Sequence, residues 1–474
     1  MKKAHLVLGK AGTGKTTWLI SKVGELAPFE IKNEHQSLLA ITRMHGSRRR
    51  VEDRLRQSVA ELKYQVTTID AFALSIVNKW RMALGFSMPV VPVYGDSDFE
   101  PSLFGVEADF ERILKMAAKL LPKTTVKNLI GKSFPIIVID EFQDCSGAML
   151  DFVKELSECS LLLLAADAFQ QLEEGLVGCP AIEWVRDLEA HGLAEITDLS
   201  ECHRTSNPGI LGAARYIRDN IRSTSPTVPV ICCPKTELLG WEIIDAVALH
   251  WYIKGWTGQI AVICPSNDPV VDDALDWGNN WRIKKGRQPI GWHKQQSQDA
   301  EKQRIVTILN SFESTSPGGQ AINAMNGSLD PLAEAVASRA SRVARLKGID
   351  SISKPMIDRL AERTIHEKRA YGQYDAKRAV MTVHGAKNRE FDNVIVLWTF
   401  KLPEDVDYQR RLMYNAVTRA KNNCMVLVLG GVKRAMTHPV ISLLGEPKQA
   451  GWRKKSPSKS SGGQTKRTIK KNKL

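Results

Sequence analysis

At 474 residues, 43% of them hydrophobic and 25% charged, the chain is long enough for about two to four folded domains and too apolar to be a disordered one. No apolar run approaches the roughly 20 residues of a membrane span, and the eight scattered cysteines contain no C-x-x-C pair. Neither a zinc site nor a disulfide framework is indicated, and the expectation is a cytoplasmic protein with reduced thiols and no membrane partner. The net charge of +14 is uneven, because residues 453–474 hold nine Lys or Arg and no acid, leaving +5 for everything else.

The first predicted element is the strand "AHLVL", which runs into "GKAGTGKTT" and then into the helical pattern "TTWLISKV". Gly9, Gly14, Lys15 and Thr16 have the Walker A spacing. It predicts a loop, Gly9, Lys10, Ala11, Gly12, Thr13 and Gly14, that closes on a nucleotide's β- and γ-phosphates at a helix N-terminus, with Lys15 on the phosphates, Thr16 on Mg²⁺ and Thr17 beside it. The runs "SLLAIT", "QVTTI", "IIVID" and "LLLLAAD" complete a first parallel sheet by residue 167, with a short Pro-interrupted insertion near 85–133. Asp140 and Glu141 follow the strand "IIVID", at the carboxyl edge where such sheets place ligands. One carboxylate there can hold Mg²⁺ while the other polarises an attacking water.

A second set of buried strands, "IAVICP", "AVMTVH", "VIVLW" and "CMVLVLG", has no glycine loop of its own. The fold class is α/β, with two parallel sheets sharing one nucleotide. Residues 311–376 are predicted helical, with Asp330 and Pro331 opening a helix whose apolar stripe is Leu332, Val336, Ala340 and Val343 and whose Arg339, Arg342 and Arg345 face solvent. The Ser-, Gly- and Lys-rich end is predicted disordered, and serves either solubility or contact with nucleic-acid phosphates.

In chain order, "GKAGTGKTT", "LLAITRMHGSRRRVEDRL", "TTIDAFALSIV", "IDEFQD", "LLLLAADAFQQL", "LSECHRTSNP", "VMTVHGAKNREFDNVIVL" and "QRRLMYNAVTRAKN" resemble the motifs of the UvrD/Rep/PcrA-like superfamily 1 DNA helicases. The resemblance implies two RecA-like domains, 1–205 and 206–445, with a basic tail at 446–474. It implies ATP and Mg²⁺ as cofactors, with Lys15 and Thr16 on phosphate and metal, Asp140 on the metal, Glu141 activating water, and Gln170, Arg204 and Arg419 on the γ-phosphate. Glu390 would contact the ribose, and His203 stands where relatives carry a base-stacking tyrosine. Thr42, Arg43, Thr68, Phe72, Thr382 and His384 match positions that line single-stranded DNA. The sequence departs from the family at Ala166 and Asn388, each replacing a glycine, and with "QLEEGL" after Gln170 the base-stacking aromatics of motif III are either absent or supplied by Phe169. The implied activity is ATP-dependent 3′ to 5′ translocation on single-stranded DNA with unwinding of tailed duplexes, alongside a nuclease or a replication or recombination protein. The alternative is an ATP-gated DNA-binding switch that does not unwind.

Overall fold

Alternation of apolar side chains between two covered faces builds the first sheet. The computed structural model describes residues 3–42, 45–59, 61–93, 98–102, 105–173, 175, 178–224, 227–249, 256–294, 331–347, 357, 360–361, 364 and 377–450. Strands Ala4–Gly9 (β1), Leu38–Thr42 (β2) and Tyr64–Thr68 (β3) come first, followed by a small sheet of Val90–Val93 (β4), Glu100–Ser102 (β5) and Gly105–Asp109 (β6). Ile136–Ile139 (β7), Leu161–Ala166 (β8) and Ala194–Leu199 (β9) complete the main sheet, in the order β3-β2-β7-β8-β1-β9 with every pairing parallel. Leu39, Ile41, Ile137, Ile139, Leu162 and Leu164 enter one core, while Leu38, Ala40, Ile136, Val138, Leu163 and Ala165 enter the core on the opposite face. Burial on both faces is why these strands read as unbroken apolar runs.

The insertion near 85–133 is no appendage. It forms the small sheet and two helices, Phe110–Leu120 and Thr124–Ser133, and its Val90, Val106, Ile113, Leu114 and Ala117 join the first core. Asp109 caps the first of these helices by accepting a hydrogen bond from Arg112 N at 2.9 Å.

The second sheet repeats the plan. Val230–Cys233 (β10), Ile260–Cys264 (β11), His293–Lys294 (β12), Arg378–Thr382 (β13), Phe391–Trp398 (β14), Ala420–Leu429 (β15) and Lys448–Gln449 (β16) run in the order β12-β13-β11-β14-β15-β10-β16, again all parallel. Val394, Val396 and Trp398 point to one core and Ile395 and Leu397 to the other. The helix Pro208–Asp219, capped by Asn207, packs Ile210, Ala213 and Ile217 into this second unit. Pairing of β16 with β10 carries the unit to residue 450, beyond the expected limit of 445, and the remaining basic tail lies outside the described residues.

Within the region near 311–376 the helix Pro331–Lys347 buries Val336 and Ala340, leaves Val343 and Arg339 half-buried and exposes Arg342 and Arg345, whereas Asp330 lies outside the described residues. No described helix is long and apolar enough to cross a membrane.

Candidate nucleotide site between the two sheets

The phosphate loop follows from backbone geometry that only glycine meets cheaply. Gly12 and Gly14 have φ of 81° and 83°, the left-handed region, and Gly14 is the N-cap of the helix Lys15–Glu30. A Cβ on Gly12 would stand 2.6 Å from Arg204 Cβ, so the loop also needs that glycine to let the second motif-bearing segment approach. Thr13 Oγ1 donates to Lys10 O at 2.9 Å and closes the turn, and Lys15 Nζ lies across it, donating to Gly9 O at 2.9 Å and Lys10 O at 3.2 Å. Ala11 departs from expectation, because its N–H is given to the Tyr414 hydroxyl at 3.0 Å rather than left for phosphate. Thr17 is exposed and accepts from Arg54 at 3.4 Å.

Opposite the loop, Asp140 directly follows the last residue of β7, and Glu141 takes φ 59°, a left-handed conformation that costs a glutamate about 1–3 kcal/mol. The strain turns the chain into the tight helical turn Phe142–Asp144 and brings both acids to the loop. Thr16 Oγ1 donates to Asp140 Oδ2 at 3.2 Å, and Gln143 Nε2 donates to Glu141 Oε2 at 2.6 Å. A hydroxyl and a carboxylate converging beside a phosphate loop fit Mg²⁺, which takes one or two protein oxygens and fills its octahedron with phosphate oxygens and water. No larger cluster of metal-ligating side chains occurs among the described residues.

The two acids are tuned apart. Burial, then the neighbouring Glu141 charge, pushes Asp140 up to about 6 against the pull of Lys15. For Glu141 burial also acts upward, but Lys15, Lys387, the Gln143 hydrogen bond and Arg419 together outweigh it and hold the carboxyl below its usual range. Glu141 is therefore ionised, and cations from both sheets face it.

The Asp140 shift has a thermodynamic consequence. A carboxyl whose folded pKa lies above its unfolded value costs stability once both states ionise, so the cost is absent at pH 3, develops as pH rises towards 6, and is complete above it. In protein free of Mg²⁺ and nucleotide, Asp140→Asn should raise stability at pH 8 by on the order of 1 kcal/mol, a shift of about 2–4 °C in Tm that shrinks as pH falls below 6. Thermal melts at pH 5 and pH 8 check it, and a gain that is the same at both would refute the charge as its cause.

From the second sheet, Lys387 reaches Asp144 of the turn with both carboxylate oxygens at 2.6 Å, and the two side chains are 8% and 3% exposed. Arg419 is 2% exposed, at the start of β15's approach, with Nε donating to Asn415 O at 3.0 Å. Arg204 lies against Gly12 but is engaged across the cleft, with Nη2 2.9 Å from Glu390 Oε1 and Nη1 donating to Thr418 O at 2.9 Å. Glu390, expected at a ribose, is thus held by Arg204, with Lys421 at 3.6 Å. His203 is exposed, gives its N–H to Gly12 O at 2.8 Å, and stands beside Gly14. Gln170 is buried in the turn Ala168–Gln170 after β8. Asn388 has φ 63°, so the residue replacing the family's glycine keeps a left-handed backbone, which asparagine tolerates best among residues with a side chain.

The residues matched to DNA contacts divide. Thr68 ends β3 and caps the next helix by accepting from Ala71 N at 3.3 Å; Thr382 ends β13 and caps Val383–Ala386 by accepting from Gly385 N at 3.2 Å. Each sheet therefore presents a strand-end threonine at a helix N-terminus. His384 is exposed beside Thr382, Thr42 is buried at the end of β2, and Arg43 lies outside the described residues. Phe72 departs from expectation. It is 4% exposed, with its ring edge-on to Phe134 and Phe152 at 5.8 and 6.3 Å, so it packs the core instead of stacking on a base. Phe169 is half-buried, with its ring edge-on to Tyr414 at 5.1 Å. Lys387 and Tyr414 were not singled out from sequence, although both lie inside motifs that were.

Residues 1–176 match the AAA domain family and residues 378–427 the UvrD-like helicase C-terminal domain. No curated protein matches the chain. Solved structures similar to it include arterivirus nonstructural protein 10, a helicase, with DNA and without. Each is 12% identical over 90% of this chain, with TM-scores of 0.30 and 0.31, and the chain spans about 60% of their length. A AAA domain bearing the phosphate loop, followed by a UvrD-like helicase C-terminal domain bearing Lys387, Glu390 and Arg419, supports placing this chain among the UvrD/Rep/PcrA-like superfamily 1 helicases.

Proposed function

We propose that the protein is an ATP-driven single-stranded DNA translocase and helicase moving 3′ to 5′. The observation that carries this reading is the cleft itself: Lys15, Thr16, Asp140 and Glu141 of one sheet face Lys387 and Arg419 of the other, and the buried Lys387 to Asp144 ion pair joins the two sides. In this reading Lys15 and the loop hold the β- and γ-phosphates, and Thr16 with Asp140 holds the metal. Mg²⁺ bound there would neutralise charge on those phosphates. Glu141, held ionised, orients the attacking water and takes its proton late, as the incoming phosphate charge offsets the cations around it. Arg419 and Arg204, the latter after leaving Glu390, stabilise the charge on the transferring phosphoryl group, and Gln170 reports its presence to the turn after β8. In the same reading His203 lies under the base.

On the DNA side, this reading assigns backbone phosphates to Thr68 and Thr382, each of which caps a helix at a strand end, with Thr42 and His384 alongside. Two such grips on sheets that close with ATP and reopen after hydrolysis would advance the strand about one base per cycle. The test is ATP hydrolysis with and without single-stranded DNA, followed by strand displacement on duplexes with 3′ and with 5′ tails. Stimulated turnover with unwinding from 3′ tails supports the reading; stimulation without unwinding on either favours the ATP-gated switch or regulator of a partner nuclease, and Lys15→Ala should abolish turnover in both cases.

For the basic tail, deletion of residues 453–474 should weaken binding uniformly across sequences and flatten the salt dependence by about 0.7 per lost phosphate contact, leaving ATP turnover at saturating DNA intact. Fluorescence titrations at several salt concentrations measure this, and an unchanged slope would leave the tail only a solubilising role.

A further inference from the structure

One phenol joins the phosphate loop to the second sheet. Tyr414 lies on the helix Val406–Val417, one turn and a half ahead of Arg419, and is 1% exposed. Its hydroxyl accepts from Ala11 N at 3.0 Å and donates to Asp167 Oδ2 at 3.2 Å, with Arg218 Nη1 at 3.5 Å. Arg218 also binds Asp167 Oδ1 at 2.7 Å. A hydroxyl has one proton, and the acceptor Asp167 fixes its direction, so the oxygen's lone pairs are left for the Ala11 N–H and the Arg218 guanidinium. Phe169 seals the group, edge-on to the Tyr414 ring and beneath the guanidinium carbons of Arg218 and Arg410 at 5.6 and 5.3 Å.

The partners are what make the arrangement informative. Ala11 belongs to the phosphate loop, Asp167 is the N-cap of the turn that carries Gln170, and Tyr414 shares its helix with the approach to Arg419. The ring supplies packing, whereas the bonds to Ala11 and Asp167 both cross from one sheet's unit to the other.

We propose that the Tyr414 hydroxyl is a positioning group that clips the phosphate loop and the Gln170 turn to the helix preceding Arg419, so that the three move as one assembly when the sheets close. This rests on the reading of the cleft as an ATPase site. Without the clip the loop and Arg419 still exist but are less well aligned, and loss of alignment on the scale of 1 Å lowers turnover steeply.

Tyr414→Phe keeps the ring and removes the oxygen. It should lower DNA-stimulated kcat about tenfold, with KM for ATP within about threefold of the parent and nucleotide-free DNA affinity unchanged. Asp167→Asn should fall similarly, and the double variant should be no worse than about the poorer single one, since both changes break the same connection. Effects that multiply, or variants that lose only thermal stability while keeping parental kinetics below their melting point, would overturn the clip. If the parent itself does not hydrolyse ATP, the ATPase reading is what fails. The clip is then judged by hydrogen exchange at the Ala11 amide in nucleotide-free protein, which Tyr414→Phe should speed at least tenfold and which, if unchanged, refutes it.

Discussion

Glu141→Gln should bind ATP and fail to turn it over, with kcat lower by about 10²- to 10⁴-fold, the usual worth of a positioned acid or base. The substitution is nearly isosteric, can keep the left-handed backbone at φ 59°, and still offers an oxygen to Gln143 Nε2. What disappears is the charge that Lys15, Lys387 and Arg419 hold in place. The same loss relieves Asp140 of its like-charged neighbour, so Mg²⁺ binding should be kept or improved. A protein that loads ATP without spending it should also grip single-stranded DNA more tightly in ATP than the parent does. Rapid-quench turnover with nucleotide and DNA binding in parallel measures all three, and parental turnover would remove Glu141 from the chemistry.

Arg419→Lys should cut ATP turnover at least about 10²-fold while leaving ATP and DNA binding largely intact. Arginine fingers contribute roughly 10³ to 10⁵ in related NTPases, and a lysine keeps the charge but not the planar fork that meets two phosphoryl oxygens at once. Arg419 is almost fully buried, anchored by Nε to Asn415 O, and close enough to Glu141 to help depress its pKa. A lysine in that position cannot hold the carbonyl and a phosphate oxygen in the same geometry. Stimulation by DNA should fall together with turnover, since in the proposed motor it is closure of the sheets that links the two ligands. Parental hydrolysis that still responds to DNA would mean that the second sheet does not complete the site, and the switch reading would replace the motor.

The parts of the site that were legible in the sequence are those fixed by local backbone. Lys15 and Thr16 follow from a strand, a glycine turn and a helix within fifteen residues, and Asp140 and Glu141 from the end of one buried strand. The contacts that escaped have partners far apart in the chain: Lys387 and Asp144 are 243 residues apart, Tyr414 and Ala11 403. Nothing in either segment names the other, because the packing of two separately wound sheets decides the pairing. The burial of Phe72 is itself legible in the sequence, since Ile69, Phe72, Ala73, Ile76 and Val77 have the helical spacing of a buried stripe. In the two large sheets the strands β9, β10, β12 and β16 went unseen, because the first mixes polar and apolar residues, β10 is four residues set between Pro229 and Pro234, and the others are two residues long.

The ion pair of Lys387 with Asp144 also gives the cleft a thermal character. In the proposed cycle, parting of the two units would let an ammonium and a carboxylate take up water, and their meeting would strip that water away again. Hydration of ions weakens on warming, whereas the gain from burying hydrocarbon levels off. The seam between the sheets should therefore become cheaper to shut as temperature rises, and chilling should hold it ajar.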